Sequence, residues 1–91
     1  MPRTMCKKYL IEGQVQGVGF RMATQAAARE IGLDGWVKNL PRGGVEAAAC
    51  GEQERVVRFE AFLRKGPRFA FVQSVLSEPY PCNQDYGFNI T

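Results

Sequence analysis

Lys7-Lys8-Tyr9-Leu10-Ile11-Glu12-Gly13-Gln14-Val15-Gln16-Gly17-Val18-Gly19-Phe20-Arg21 is the stretch whose reading decides the fold. From Lys7 to Glu12, Tyr9 and Ile11 alternate with Lys8, Leu10 and Glu12, a period of two in strand-forming residues that predicts a first strand. Three glycines between Gly13 and Gly19 then predict a tight loop, where the backbone turns sharply or approaches something closely. Beyond it, Arg21 to Ile31 is rich in Ala, Gln, Arg and Glu, and Gly32 stands where a left-handed C-terminal cap would go. That segment reads as a helix.

Outward from this unit the same rules apply. Trp36 to Leu40 and Val45 to Cys50 are strand candidates joined by a hairpin at Pro41, Arg42, Gly43 and Gly44, although Ala47, Ala48 and Ala49 weaken the second locally. Gln53 to Lys65 sets Val56, Phe59 and Leu63 on one helical stripe, ended by Gly66 and Pro67. Phe69 to Leu76 reads as a strand, Pro79 and Pro81 interrupt the chain, and Tyr86, Phe88 and Ile90 alternate to the end. The order βαββαβ with a short extra C-terminal strand predicts an α+β, ferredoxin-like sandwich, with two helices on one face of an antiparallel sheet. Ninety-one residues, 45% of them hydrophobic, suit a single domain spanning residues 1–91, and therefore one site. Many unrelated activities use such a scaffold, RNA binding among them, so function must come from the site.

Composition narrows the classes. Twelve Lys and Arg against nine Asp and Glu leave a formal charge of +3, a mild bias that suits small anions better than nucleic acid. Cys6, Cys50 and Cys82 are odd in number and lack CxxC spacing, which suggests neither a complete disulfide framework nor a zinc knuckle. Reduced thiols imply a cytoplasmic setting. The start, MPRTMCKKYL, has no apolar signal region, and no stretch approaches the roughly 20 apolar residues that span a bilayer. No apolar excess beyond one core is evident, so a monomer is expected.

The chemistry concentrates in Val15-Gln16-Gly17-Val18-Gly19-Phe20-Arg21. Gly17 and Gly19 allow successive N–H groups to turn inward, and the helix start adds unpaired donors and a positive dipole end. Arg21 supplies a planar guanidinium that grips two oxygens of a tetrahedral oxyanion at once. On spacing alone the turn-only reading is the simpler one, because glycines before a helix commonly serve the turn and a first-turn Arg is commonly solvated. Asn39 has a similar plain reading, hydrogen bonding at a strand end.

The whole string VQGVGFR, with Gly13 upstream, resembles the first signature of the acylphosphatase family almost letter for letter. Gly35-Trp36-Val37-Lys38-Asn39-Leu40-Pro41-Arg42-Gly43-Gly44-Val45-Glu46, followed by Gly51, resembles the second in the correct spacing. Gln25, Gly32-Leu33, Gly66-Pro67, Ala70, Val72, Val75 and Phe88-Asn89-Ile90 also match, so the likeness runs over nearly the whole chain. There are departures. Met22 stands where many members carry an aromatic, and Pro41-Arg42-Gly43 replaces a more usual Asp-Gly tip.

The resemblance implies an enzyme that hydrolyses acyl phosphates, with Arg21 and Asn39 catalytic and Gln16, Gly17, Val18, Gly19, Phe20 and Arg21 binding the phosphoryl group. It implies that inorganic phosphate is product and inhibitor, and that Asn39 positions the attacking water. Alternation sets Asn39 on the opposite strand face from Trp36 and Lys38. An amide orients water without taking its proton, as the water-positioning Gln of GTPases does.

What the chain lacks fits that scheme. It contains no His, only Asp34 and Asp85 as aspartates, and no GxxxxGK[ST] loop, so neither a His base nor a metal or other cofactor is expected. Cys50 precedes Arg55 by four intervening residues instead of the five of a cysteine-dependent phosphatase loop, and reads as a small buried hydrophobe. Trp36 reads as core or pocket wall. Lys7 and Lys8 read as a solvated strand start, and Glu12, Glu46 and Asp34 as surface or pairing charges. An acyl phosphate leaves as a carboxylate whose conjugate acid has a pKa of about 4, so no general acid is required. The alternatives are a non-catalytic phosphate- or RNA-binding module, whose mark would be an exposed aromatic cluster on the sheet, and a carbamoyl-phosphate-handling domain of the kind fused to larger maturation enzymes, against which the absence of a further domain argues.

Overall fold

The computed structural model describes residues 4–81 and 87–91. Seven elements follow in order: β1 (Thr4–Gln14), α1 (Phe20–Ile31), β2 (Asp34–Asn39), β3 (Val45–Glu52), α2 (Gln53–Lys65), β4 (Phe71–Pro79) and β5 (Phe88–Ile90). The strands form one sheet in the order β4-β1-β3-β2-β5. Every neighbouring pair is antiparallel except β2 and β5, which run parallel from Gly35↔Phe88 to Val37↔Ile90, so the expected antiparallel sheet is mixed at one edge. Tyr86, expected in that last strand, lies outside the described residues.

Alternation along β1 builds the core. Tyr9 and Ile11 point under the helices and are closed from water, together with Val37, Val45, Ala47 and Ala49 from the neighbouring strands. Helix α1 adds Phe20, Thr24 and Ala28 at four-residue intervals, and α2 adds the expected stripe of Val56, Phe59 and Leu63. Phe59 stands at the centre, its ring 5.9 Å from that of Tyr9 and 5.7 Å from that of Phe88. Tilted pairs of this kind add about 0.5–1.5 kcal/mol each beyond area burial. Ala47, Ala48 and Ala49 remain in the strand because each is fully buried in the central ladder, where tertiary packing overrides their weak propensity.

The helix bounds Gln53–Lys65 are as expected, and Gly32 caps α1 in the left-handed conformation, its N–H donating to Ala28 O. β4 begins at Phe71, not Phe69, because Ala70 N–H donates to Pro67 O in a turn. Pro79 ends β4 instead of interrupting it, since an edge strand leaves one row of N–H groups unused.

Three readings of single residues need correction. Cys6 and Cys50 face each other across β1 and β3 with Cα atoms 4.1 Å apart and are joined as a disulfide, contrary to the expected free thiols. Only strand register brings them opposite, and spacing along the chain does not encode register. The half-buried Cys50 is thus a bridged residue on the helix-free face; Cys82 lies outside the described residues. Trp36 is neither core nor pocket wall, because pairing with Ala48 puts it on that same open face. Lys7 and Lys8 are paired: Lys7 Nζ lies 3.1 Å from Glu60, which also accepts from Tyr9 Oη, and Lys8 Nζ lies 3.1 Å from Glu78.

Candidate active site

The loop between β1 and α1 begins where β1 must clear β4. At the bulge between Glu12 and Gly13 the register shifts, and any Cβ on Gly13 would run into the backbone of Phe71 and Gln73. Gly17 and Gly19 have φ of 74° and 76°, the left-handed region, and among the described residues no atom beyond their immediate chain neighbours lies within 4 Å of where their Cβ would stand. The tight backbone is therefore dictated by the loop's own path and leaves open space beside it.

Gly19 is the N-cap of α1 and offers no capping side chain, and the first turn carries no acidic residue. Among the described residues, no main-chain N–H from Gln16 to Arg21 donates to a protein acceptor. Arg21, in the first turn, forms no ion pair or hydrogen bond among the described residues. Unpartnered donors, the positive end of a helix dipole and an unpaired guanidinium thus coincide.

These groups open on a cavity of about 150 Å³ lined by Gly17, Gly19, Phe20 and Arg21, with Asn39 reaching it from the end of β2. The Oδ1 atom of Asn39 is buried and has no hydrogen-bond donor among the described residues. A buried carbonyl oxygen without a donor is costly, which makes this atom a ready acceptor for a small ligand or water. Chemically, the cavity presents donors on one side and an unsatisfied acceptor on another.

Of the residues the sequence singled out, Gly17, Gly19, Phe20, Arg21 and Asn39 share this cavity, whereas Gln16 and Val18 do not line it. Val18 packs against the core, and the Gln16 side chain turns toward the hairpin at residues 40–44. The cavity also includes Val15, Met22 and Ile90, which the sequence did not single out as site residues. Ile90 arrives only through the parallel pairing of β5 on β2, and its alternation with Phe88 is the one local signal that could have pointed inward. Among the described residues, no group of three His, Cys, Asp or Glu could hold a metal ion.

On the opposite sheet face, the Trp36 and Tyr80 rings meet edge to face at 6.2 Å, with Trp36 Nε1 donating to Tyr80 Oη at 3.3 Å. Lys38 covers the Trp36 ring at 5.3 Å and pairs with Glu46 at 3.4 Å. Rings engaged with each other and a lysine held by a carboxylate do not make a stacking platform for bases.

Known proteins resemble this chain in sequence and in fold. The acylphosphatase family model matches residues 7–90. An acylphosphatase of Acaryochloris marina is 48% identical over 75 residues, covering 82% of this chain and 81% of that protein. One from Vibrio parahaemolyticus is 42% identical over 85 residues, covering 93% and 94%. The solved structure of an acylphosphatase from Coxiella burnetii superposes with a TM-score of 0.93 at 36% identity, covering 97% of this chain and 93% of that one. A signature-bearing loop, the described cavity and likeness along almost the entire length lead to one conclusion: the chain belongs to the acylphosphatase family.

Proposed function

We propose that this acylphosphatase hydrolyses the carboxyl–phosphate anhydride of small acyl phosphates, giving a carboxylate and inorganic phosphate by in-line attack of water, without a metal or other cofactor. The observation that carries the reading is the shared cavity of Arg21, the glycine loop and the unsatisfied Asn39 oxygen.

In this scheme the loop amides from Gln16 to Arg21 and the Arg21 guanidinium hold the three phosphoryl oxygens. Because these donors are already fixed and unpartnered, they stabilise the charge that spreads over those oxygens in the transition state without reorganising. Asn39 accepts a hydrogen bond from the water and aims its lone pair at phosphorus. The P–O bond to the carboxylate breaks as the P–O bond to water forms. The leaving carboxylate needs no proton, and the water's proton passes to a phosphoryl oxygen of the substrate. Inorganic phosphate, with the same tetrahedral oxygens, competes for the cradle.

The reading extends to a monomer in the cytoplasm. Among the described residues no helix is long and apolar enough to cross a membrane. A reducing cytoplasm would hold Cys6 and Cys50 as thiols, which thiol titration of protein freshly released from cells measures.

The deciding experiment is hydrolysis of benzoyl phosphate by the purified protein with and without EDTA. Turnover unchanged by the chelator, with an aryl phosphate ester left almost untouched, is the expected result. Phosphate binding without turnover would make the chain a binding module, and loss of activity on chelation would overturn the metal-free scheme.

A further inference from the structure

We propose that the Gln16 side chain is a positioning residue that locks the β2–β3 hairpin, and with it Asn39, against the phosphate loop, so that it supports turnover without binding phosphate. The inference rests on the role proposed for Asn39.

The Gln16 carboxamide nitrogen carries two N–H groups. It donates to Leu40 O at 2.8 Å and to Gly44 O at 2.7 Å. Those carbonyls also close the hairpin itself, Gly43 N–H donating to Leu40 O and Leu40 N–H to Gly44 O, both at 3.1 Å. Each carbonyl therefore spends its second lone pair on Gln16. Both donors of the carboxamide are occupied in this way, so its nitrogen is not a phosphate ligand.

The location explains what the bridge does. Asn39↔Val45 is the last paired position of β2 and β3, so residues 40–44 extend past that ladder as the tip of the hairpin. Leu40 follows Asn39 directly, and Gln16 precedes Gly17 in the loop that carries the free amides. Among the described residues, the two Gln16 bonds are the only side-chain hydrogen bonds joining that loop to the hairpin. They set the separation between the groups that hold the phosphoryl and the amide that aims the water. A displacement of an ångström in such a pair costs up to about a hundredfold in rate.

The test is a double-mutant cycle with Gln16→Ala and Asn39→Ala, reading kcat on benzoyl phosphate and the inhibition constant of phosphate. We expect Gln16→Ala to lower kcat roughly tenfold in the wild-type background and less than about twofold in the Asn39→Ala background, with phosphate inhibition changed less than about threefold. An equal loss in both backgrounds, or a phosphate constant that rises with the loss of kcat/KM, overturns the proposal. If Asn39→Ala is itself without effect, the reading of Asn39 fails first, and the two failures are thus distinct. Gln16→Glu supplies a second readout: the same shape with no donor when ionised should match the alanine variant at neutral pH. It should recover relative to wild type as pH falls through the carboxyl's titration, near about 4.3 for an unperturbed Glu. A pH profile parallel to wild type overturns the proposal independently.

Discussion

On the helix-covered side of the sheet, Tyr9, Ile11, Val37, Ala47 and Phe88 are shut away from water, while on the open side Lys8, Lys38, Glu46 and Glu78 lie in exposed or half-exposed pairs around Trp36 and Tyr80. The same strands make both sides, through the same alternation. The difference lies in what happens to polar groups. Each of those two open-side lysines has a carboxylate within 3.4 Å, whereas Arg21 and the Asn39 oxygen, at the margin of the covered side, have no partner among the described residues. A partnered charge is already satisfied, whereas an unpartnered one beside a cavity is available to a ligand. The proposed chemistry therefore sits where the covered layer ends and α1 begins, not on the larger open surface.

The strongest way to break this comparison is Arg21→Ala. Turnover should drop by on the order of 10³-fold or more, and inhibition by phosphate should vanish; near-normal kcat would remove Arg21 from the site. In the covered layer, Phe59→Ala should destabilise the fold by about 3–5 kcal/mol, read as a shift of the urea midpoint, because it empties the contact between Tyr9 and Phe88. Asn39→Ala should lower kcat by roughly a hundredfold while the phosphate inhibition constant stays nearly constant. A change in both would assign Asn39 to binding.

Smaller effects sharpen the contrast. Burial, followed by the negative charge of Glu60 and its hydrogen bond, holds the Tyr9 hydroxyl well above its ordinary range. Its folded pKa is raised, so its contribution is complete below the unfolded value of about 10 and is lost as pH rises beyond that. Urea midpoints should therefore fall above pH ~10 more steeply in wild type than in Tyr9→Phe. Last, Lys38→Ala on the open side should change stability by less than about 1 kcal/mol and leave kcat alone, as an exposed pair does.

Much of this was legible in advance because it is local. The stripe of Val56, Phe59 and Leu63, the cap at Gly32 and the alternation of Tyr9 and Ile11 each follow from neighbours within a few positions. Arg21 and the glycines stood out only when the whole string VQGVGFR was matched to a family signature, since their spacing alone fits a plain turn. What escaped depends on partners far along the chain. Trp36 faces away from the core, Cys50 meets Cys6, Gln16 reaches Leu40, and β5 lies parallel to β2.

The amino-acid sequence by itself determined the elements, their order and the chemical kinds of group near the cavity, since propensity, period and side-chain chemistry act over short range. Only the tertiary structure decided which of those groups remain unpartnered, that the side chain of Gln16 is committed to the hairpin, and that Ile90 and Asn39 share a cavity with Arg21. The reason is physical: register and crossover settle the distances and angles between residues dozens of positions apart, and those decide whether a donor or acceptor without a local partner is satisfied.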